Sequence, residues 1–307
     1  MINRVLIRLK IVQIVYAYYK NSGKSIKAAE DEVFFSLSKA YDLYNYLLLL
    51  IPAVTHYAAD RISFNSMKLR PTESDINPNL KFVNNRFAAQ VAVNEQLCKF
   101  AEKSKTNWVE NSDLLRRLFN AIEESDIYKE YMASETSSYE EDKELWRKLY
   151  KNFIFDNEEL DALLEDQSLY WNDDKAIVDT FVLKTIKRFE ESAGAEQNLL
   201  PEYKDIEDKS FASKLFHSAI TNAEKYRDLM GENSRNWDMS RFAFMDVVIM
   251  QVALAEILEF DDIPLSVSLN EYVEIAKYYS TAKSGSFVNG LLDSVTKKLR
   301  AEGKINK

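Results

Sequence analysis

The sequence predicts an all-α protein, and two observations carry that expectation. Its 307 residues include six glycines and five prolines, too few for strands joined by tight turns, so long helices with few connections are favoured. Apolar residues also recur at steps of three and four along much of the chain, the spacing that gathers them on one helix face. Hydrophobic residues make up 46% of the chain, enough to bury a core. At a prior of roughly 150 residues per domain, the length suggests two structural units or one domain with a large insert.

The first helix is expected from about Ile2 to Tyr19. Ile2, Val5, Leu9, Val12, Tyr16 and Tyr19 form one stripe, and Ile7, Ile11, Ile14, Val15 and Tyr18 cover much of the other side. A helix apolar nearly all round is sandwiched between neighbours. Arg4 and Arg8 are one turn apart and share a face. After a polar loop at Asn21–Ser25, a long second helix runs from Ile26 to about Ile51, where Pro52 either kinks it or stops it before a restart. Further helical patterns follow at Leu80–Lys103, Asp113–Glu124, Ser138–Phe155, Asp173–Ser192 and Asp208–Met230. All four tryptophans (Trp108, Trp146, Trp171, Trp237) lie in or beside this middle region, which should therefore have its own core. Cys98 reads as a small core residue. Phe242, Met245, Ile249, Val252 and Ile257 stripe another helix. Pro264 ends it, Ser268 and Glu271 have the spacing of a capping box, and Leu269, Tyr272, Val273, Ala276 and Tyr279 mark the next helix. A Ser284-Gly285-Ser286 turn leads to a last helix striped by Phe287, Leu291, Val295 and Leu299.

That C-terminal stretch carries a resemblance. Ile263-Pro264, Leu269-Asn270-Glu271, Glu274-Ile275-Ala276-Lys277 and Ser286-Phe287-Val288-Asn289-Gly290-Leu291-Leu292-Asp293 occur in the order of the C-terminal signature of the NusB family. Asp246–Glu256 resembles the family's core helix, with Gln251 where an arginine is usual. Arg4, Arg8 and Val12-Gln13-Ile14-Val15-Tyr16 resemble its arginine-rich first helix, with Leu9 in place of an acid and Lys10 as an extra charge. The resemblance implies a NusB-like helical bundle in two halves, residues 1–64 and 237–307, separated by an inserted helical region, 65–236. It further implies a transcription antitermination factor in ribosomal RNA synthesis. Such a factor pairs with the NusE-type small-subunit ribosomal protein, holds boxA-like single-stranded RNA and loads it onto the RNA polymerase complex. By the same resemblance, Arg4, Arg8 and Lys10 would hold phosphates, with Lys277, Lys283 and Ser284 completing the surface. Tyr279 and Phe287 would stack on bases, and Asp246 would lie near the protein-partner surface. Lys283 stands where some relatives have an acid.

The charge is unevenly spread. The net charge is -9, yet residues 1–29 hold six basic side chains and no acid, and residues 297–307 hold five bases and one acid. Residues 121–174 hold seventeen acids against five bases. Charge runs usually mean solvated helix faces; the alternative is that the two termini form one basic surface. No enzyme is expected. His56 and His217 lack partners at metal-ligand spacing, and no Gly-rich phosphate loop, nucleophile elbow or dinucleotide fingerprint occurs. No cofactor strand–loop supports the ribosomal RNA methyltransferases to which NusB-like domains are sometimes fused. The competing expectation is a scaffold that binds proteins through its acidic insert without binding RNA. A single cysteine and the absence of a secretory pattern fit the cytoplasm. The longest apolar run, Tyr46–Val54, is interrupted by proline and too short to cross a membrane.

Overall fold

The computed structural model describes residues 1–21, 24–104, 106–234 and 242–307, so Trp237 and the expected boundary at 236/237 lie outside the described residues. Every extended regular element among them is helical, and the sole isolated β-bridge joins Ile2 to Tyr203. The first helix, α1 (Arg4–Lys20), opens at Asn3, whose side chain accepts the Leu6 N–H at 2.9 Å, the usual capping role of asparagine. Its middle, Leu6–Val12, is buried all round, as its sequence demands. The second helix, α2 (Ile26–Ser66), continues unbroken through Pro52. Burial of Ile51 and Val54 on either side offsets the backbone bond that proline cannot make.

The chain then forms α3 (Glu73–Ile76), α4 (Arg86–Ala92), α5 (Glu95–Lys103), α6 (Ser112–Glu124), α7 (Asp126–Ala133) and α8 (Tyr139–Leu149). A π-helical turn over Tyr150–Ile154 extends α8, and α9 (Glu158–Gln167) and α10 (Lys175–Arg188) follow. The single helix expected over 80–103 is split because Asn94 turns its side chain back to accept the Gln96 and Leu97 N–H groups, each at 3.2 Å, and so starts α5. The expected helix over 208–230 also divides, at Asn222 and without a side-chain cap, into α11 (Ile206–Thr221) and α12 (Ala223–Asn233). The chain closes with α13 (Phe244–Glu259), α14 (Leu265–Tyr279) and α15 (Ser284–Ala301). Pro264, not Ser268, caps α14. Proline fixes the dihedral of a first turn without needing a partner for an N–H, so Ser268 falls inside the helix and the capping box is not formed. Ser284-Gly285-Ser286 is the first turn of α15 and not a connection.

Two compact units result, one comprising Lys39–Glu202 with Met1, the other Ile2–Ser38 and Tyr203–Lys307. The first limit lies within α2, well before residue 64, and the reason is aromatic. Tyr46 stacks on Trp108 at 4.0 Å between centroids and 6° between planes, and on Trp171 at 5.6 Å. Trp108 and Trp171 donate their indole N–H groups to the Tyr46 and Lys39 carbonyls, both at 2.8 Å. Residues 39–66 are thereby the spine of the unit that holds three of the tryptophans. Cys98, expected in a core, is exposed on α5. It lies on the polar face of that short amphipathic helix, one residue past the buried Leu97. In the other unit α13 is the centre, buried along nearly its whole length and packed on α1, α11, α12, α14 and α15.

Candidate nucleic-acid interface

Arg8 points into the second unit, not away from it. It is 3% exposed, and its guanidinium grips both carboxylate oxygens of Glu256 on α13, at 2.7 and 2.9 Å. Ser268 and Tyr272 on α14 donate to the same carboxylate at 2.7 and 3.0 Å, and Glu271 lies 3.9 Å from the guanidinium. Burial works against the Arg8 charge, but the bonds and charge of Glu256 outweigh it, and the net shift is upward. Burial, then the Glu256 charge, pushes the Tyr272 hydroxyl well above its ordinary value. Ser268 and Glu271, three residues apart, thus serve one buried ion pair. Lys10 is buried as well. The expected phosphate contacts of Arg8 and Lys10 do not match their positions, because a helix apolar nearly all round leaves its middle cations no solvent face.

Arg4 is partly exposed. It lies 3.5 Å from Asp262 and 3.8 Å from Asp208, with its guanidinium 4.9 Å above the Phe211 ring.

Asp246 and Ser284 meet at the opposite end of α13. Asp246 is 4% exposed, and its Oδ2 accepts the Ser284 hydroxyl at 2.9 Å; the Thr281 N–H donates back to Ser284 Oγ at 3.0 Å. Both side chains are buried and lock the start of α15 onto α13, so neither offers the exposed contact expected of it. About ten residues of α13, roughly 15 Å at 1.5 Å per residue, separate Asp246 from Glu256. The helices α1 and α13 run antiparallel, with Arg8 at Glu256 and Tyr16 beside Phe244 at 5.4 Å. Arg4 and Arg8 therefore sit at one end of α13 and Lys283 at the other, and the first helix does not add those arginines to the turn before α15. What it brings there is Lys20, exposed, with its ammonium 4.9 Å over Phe244. Counting basic residues could not single out Lys20; only the direction of α1 does.

The turn itself presents Lys277, Tyr278 and the Thr281–Lys283 segment to solvent, with Tyr279 and Phe287 half-buried. Lys277 pairs with Glu274 at 2.6 Å, an exposed pair of little energetic weight. Its stem crosses Gly285 so closely that a Cβ there would stand 2.7 Å from Lys277 Cγ. Phe287 packs edge-on against Phe242 at 4.5 Å. A groove of about 840 Å³ runs beside it, lined among the described residues by Lys283, Ser286, Phe287, Gly290 and Lys298 with Glu232 and Asn233. Ile275–Leu292 contains two lysines and no acid. Among the described residues no cluster of three metal-binding side chains occurs. Among the same residues no helix is long and apolar enough to cross a membrane.

Comparison with known proteins gives one family. The NusB family matches residues 179–297, reaching back across α11 and α12 into a stretch whose sequence reads as insert. The transcription antitermination protein NusB of Salinibacter ruber is 36% identical over 132 residues, covering 41% of this chain and 82% of that protein. Its counterpart in Chloroherpeton thalassium is 41% identical over 103 residues, 34% of this chain and 49% of that protein. The match thus spans about half the length of the latter relative. A solved T. maritima NusB is 31% identical over 38% of this chain and 72% of its own, at a TM-score of 0.29.

Proposed function

Because the chain belongs to the NusB family, we propose that it acts in transcription antitermination, binding single-stranded RNA at the α14–α15 turn without catalysing a reaction. The observation that carries the reading is the largely exposed turn Lys277–Lys283, which holds two lysines, two tyrosines and no acid of its own, with Glu274 pairing Lys277 from one turn back. Lys277 and Lys283 supply phosphate contacts, Lys20 joins them from α1, Phe287 supplies a ring on the groove wall and Tyr279 another at the end of α14. Single strands are held by this combination of cations and stacking platforms. Arg4, at the far end of α13, is outside the patch. Asp246 and Ser284 fix its geometry from beneath. The ligand is boxA-like RNA of a ribosomal RNA leader, taken up with a NusE-type ribosomal protein for delivery to the RNA polymerase complex in the cytoplasm.

Three cations against single-stranded RNA give a slope of roughly -2 in log affinity against log salt. Filter binding of boxA-like RNA, with and without the NusE-type protein, tests this; a flat salt response would remove the phosphate contacts from the account. A second reading has its own support. Residues 39–202 carry 20 bases and 30 acids, a net -10, whereas the remaining residues carry 20 and 19, a net +1. Such a field steers basic proteins, and binding of the ribosomal protein but never of RNA would favour a scaffold.

A further inference from the structure

Tyr278 is not among the residues that the family resemblance points to, and it is the most exposed aromatic ring at the turn. It stands in the last turn of α14, 81% exposed, directly after Lys277. Its ring centroid is 6.0 Å from that of Tyr279, with the planes tilted by 42°. Tyr279 is half-buried and Phe287 is engaged with Phe242, so each already spends part of its ring on the protein. An aromatic ring left in water loses the burial that usually stabilises it. Here that ring follows one lysine, precedes another at Lys283 and lies in a stretch without acids.

We propose that Tyr278 is the principal base-stacking platform of this chain, taking an unpaired RNA base on its ring while Lys277 and Lys283 hold the flanking phosphates. The inference rests on the reading that the turn binds single-stranded RNA, and it deepens that reading by naming the ring. Stacking needs only a π-face, so the contact is tolerant of base identity and blind to salt. The lysine contacts are the reverse, because they act through counterion release. The two contributions therefore separate in one titration.

The experiment measures binding of the full chain to a fluorescein-labelled, boxA-like single-stranded RNA across a range of salt. Tyr278→Ala is expected to weaken binding about 10-fold at every salt concentration with the slope unchanged, as loss of one stacked base requires. Tyr278→Phe restores binding to within about two-fold, since the ring is kept. Lys283→Ala instead lowers the slope by about 0.7. Thermal unfolding of Tyr278→Ala should match that of the parent, because the side chain is exposed. Parent-like affinity of Tyr278→Ala overturns the proposal, and so does a Tyr278→Phe loss as large as that of alanine, which would assign the contact to the hydroxyl. Absence of RNA binding by the parent protein overturns the RNA-binding reading itself, and this inference with it.

Discussion

Arg8 and Arg4 lie one turn apart on α1 yet meet opposite fates. Arg8 is committed to Glu256, whose carboxylate also takes two hydroxyl donors and is inaccessible to water. Removing the guanidinium would strand a buried negative charge, and a change of that kind costs about 3–5 kcal/mol. Urea unfolding of Arg8→Ala should show a loss of this size. Arg4→Ala, whose partners stand at 3.5 and 3.8 Å near the surface, should lose no more than about 1 kcal/mol. Gly285 offers a second measurement. Its missing side chain makes room for the Lys277 stem, and Gly285→Ala brings a Cβ to 2.7 Å from Lys277 Cγ. Overpacking of this sort costs about 1–3 kcal/mol where the neighbour cannot yield. Adding Lys277→Ala removes the Cγ, so a thermal-unfolding double-mutant cycle should recover most of the loss. Additive effects would show that the stem swings aside freely.

Among the elements, the start of α2 is tied to α11 by a titrating contact. Glu30 accepts the Ser213 hydroxyl and lies 3.0 Å from His217 Nε2. The Ser213 bond, outweighing a smaller burial penalty and aided by His217, holds its carboxyl below the usual value. A depressed carboxyl adds stability above its unfolded pKa and surrenders it as pH falls through the folded value. Ser213→Ala should therefore destabilise near neutral pH and become neutral in acid, read by unfolding midpoints across that range. An equal loss at every pH would assign Ser213 to packing alone. Helices with long apolar stripes, such as α1, α2, α13 and α15, were legible because their periodicity outlasts any local irregularity. The break at Asn94 was not, since one asparagine can restart a helix without disturbing the stripe; nor was the break at Asn222, whose amide instead donates to the Ser218 and Tyr226 hydroxyls. Ser268 misled for the same reason: capping chemistry and buried hydrogen bonding use the same side chain, and only the position of Glu256 decides between them.

Across the whole molecule, the lesson concerns direction. Residue counts correctly found basic segments at both ends of the chain, and the C-terminal signature correctly indicated the family. No count could give the antiparallel course of α1 along α13, which turns Arg4 and Arg8 toward Glu256 and Asp262 and leaves Lys20 beside Phe244. Nor could it show that the net negative charge falls within Lys39–Glu202, leaving the other unit close to neutral. A polyanion approaching α14–α15 thus depends on nearby lysines and not on any broad positive field.

The ring stack at Tyr46 has a practical corollary. Trp108, Trp146 and Trp171 are all enclosed in the Lys39–Glu202 unit, so indole emission is chiefly an optical gauge of that half of the protein. With Trp237, five residues before Phe242 in the sequence, replaced by Phe, quenching or a red shift on adding RNA would signal a disturbance reaching those indoles, whereas silence during tight binding would mark them as spectators.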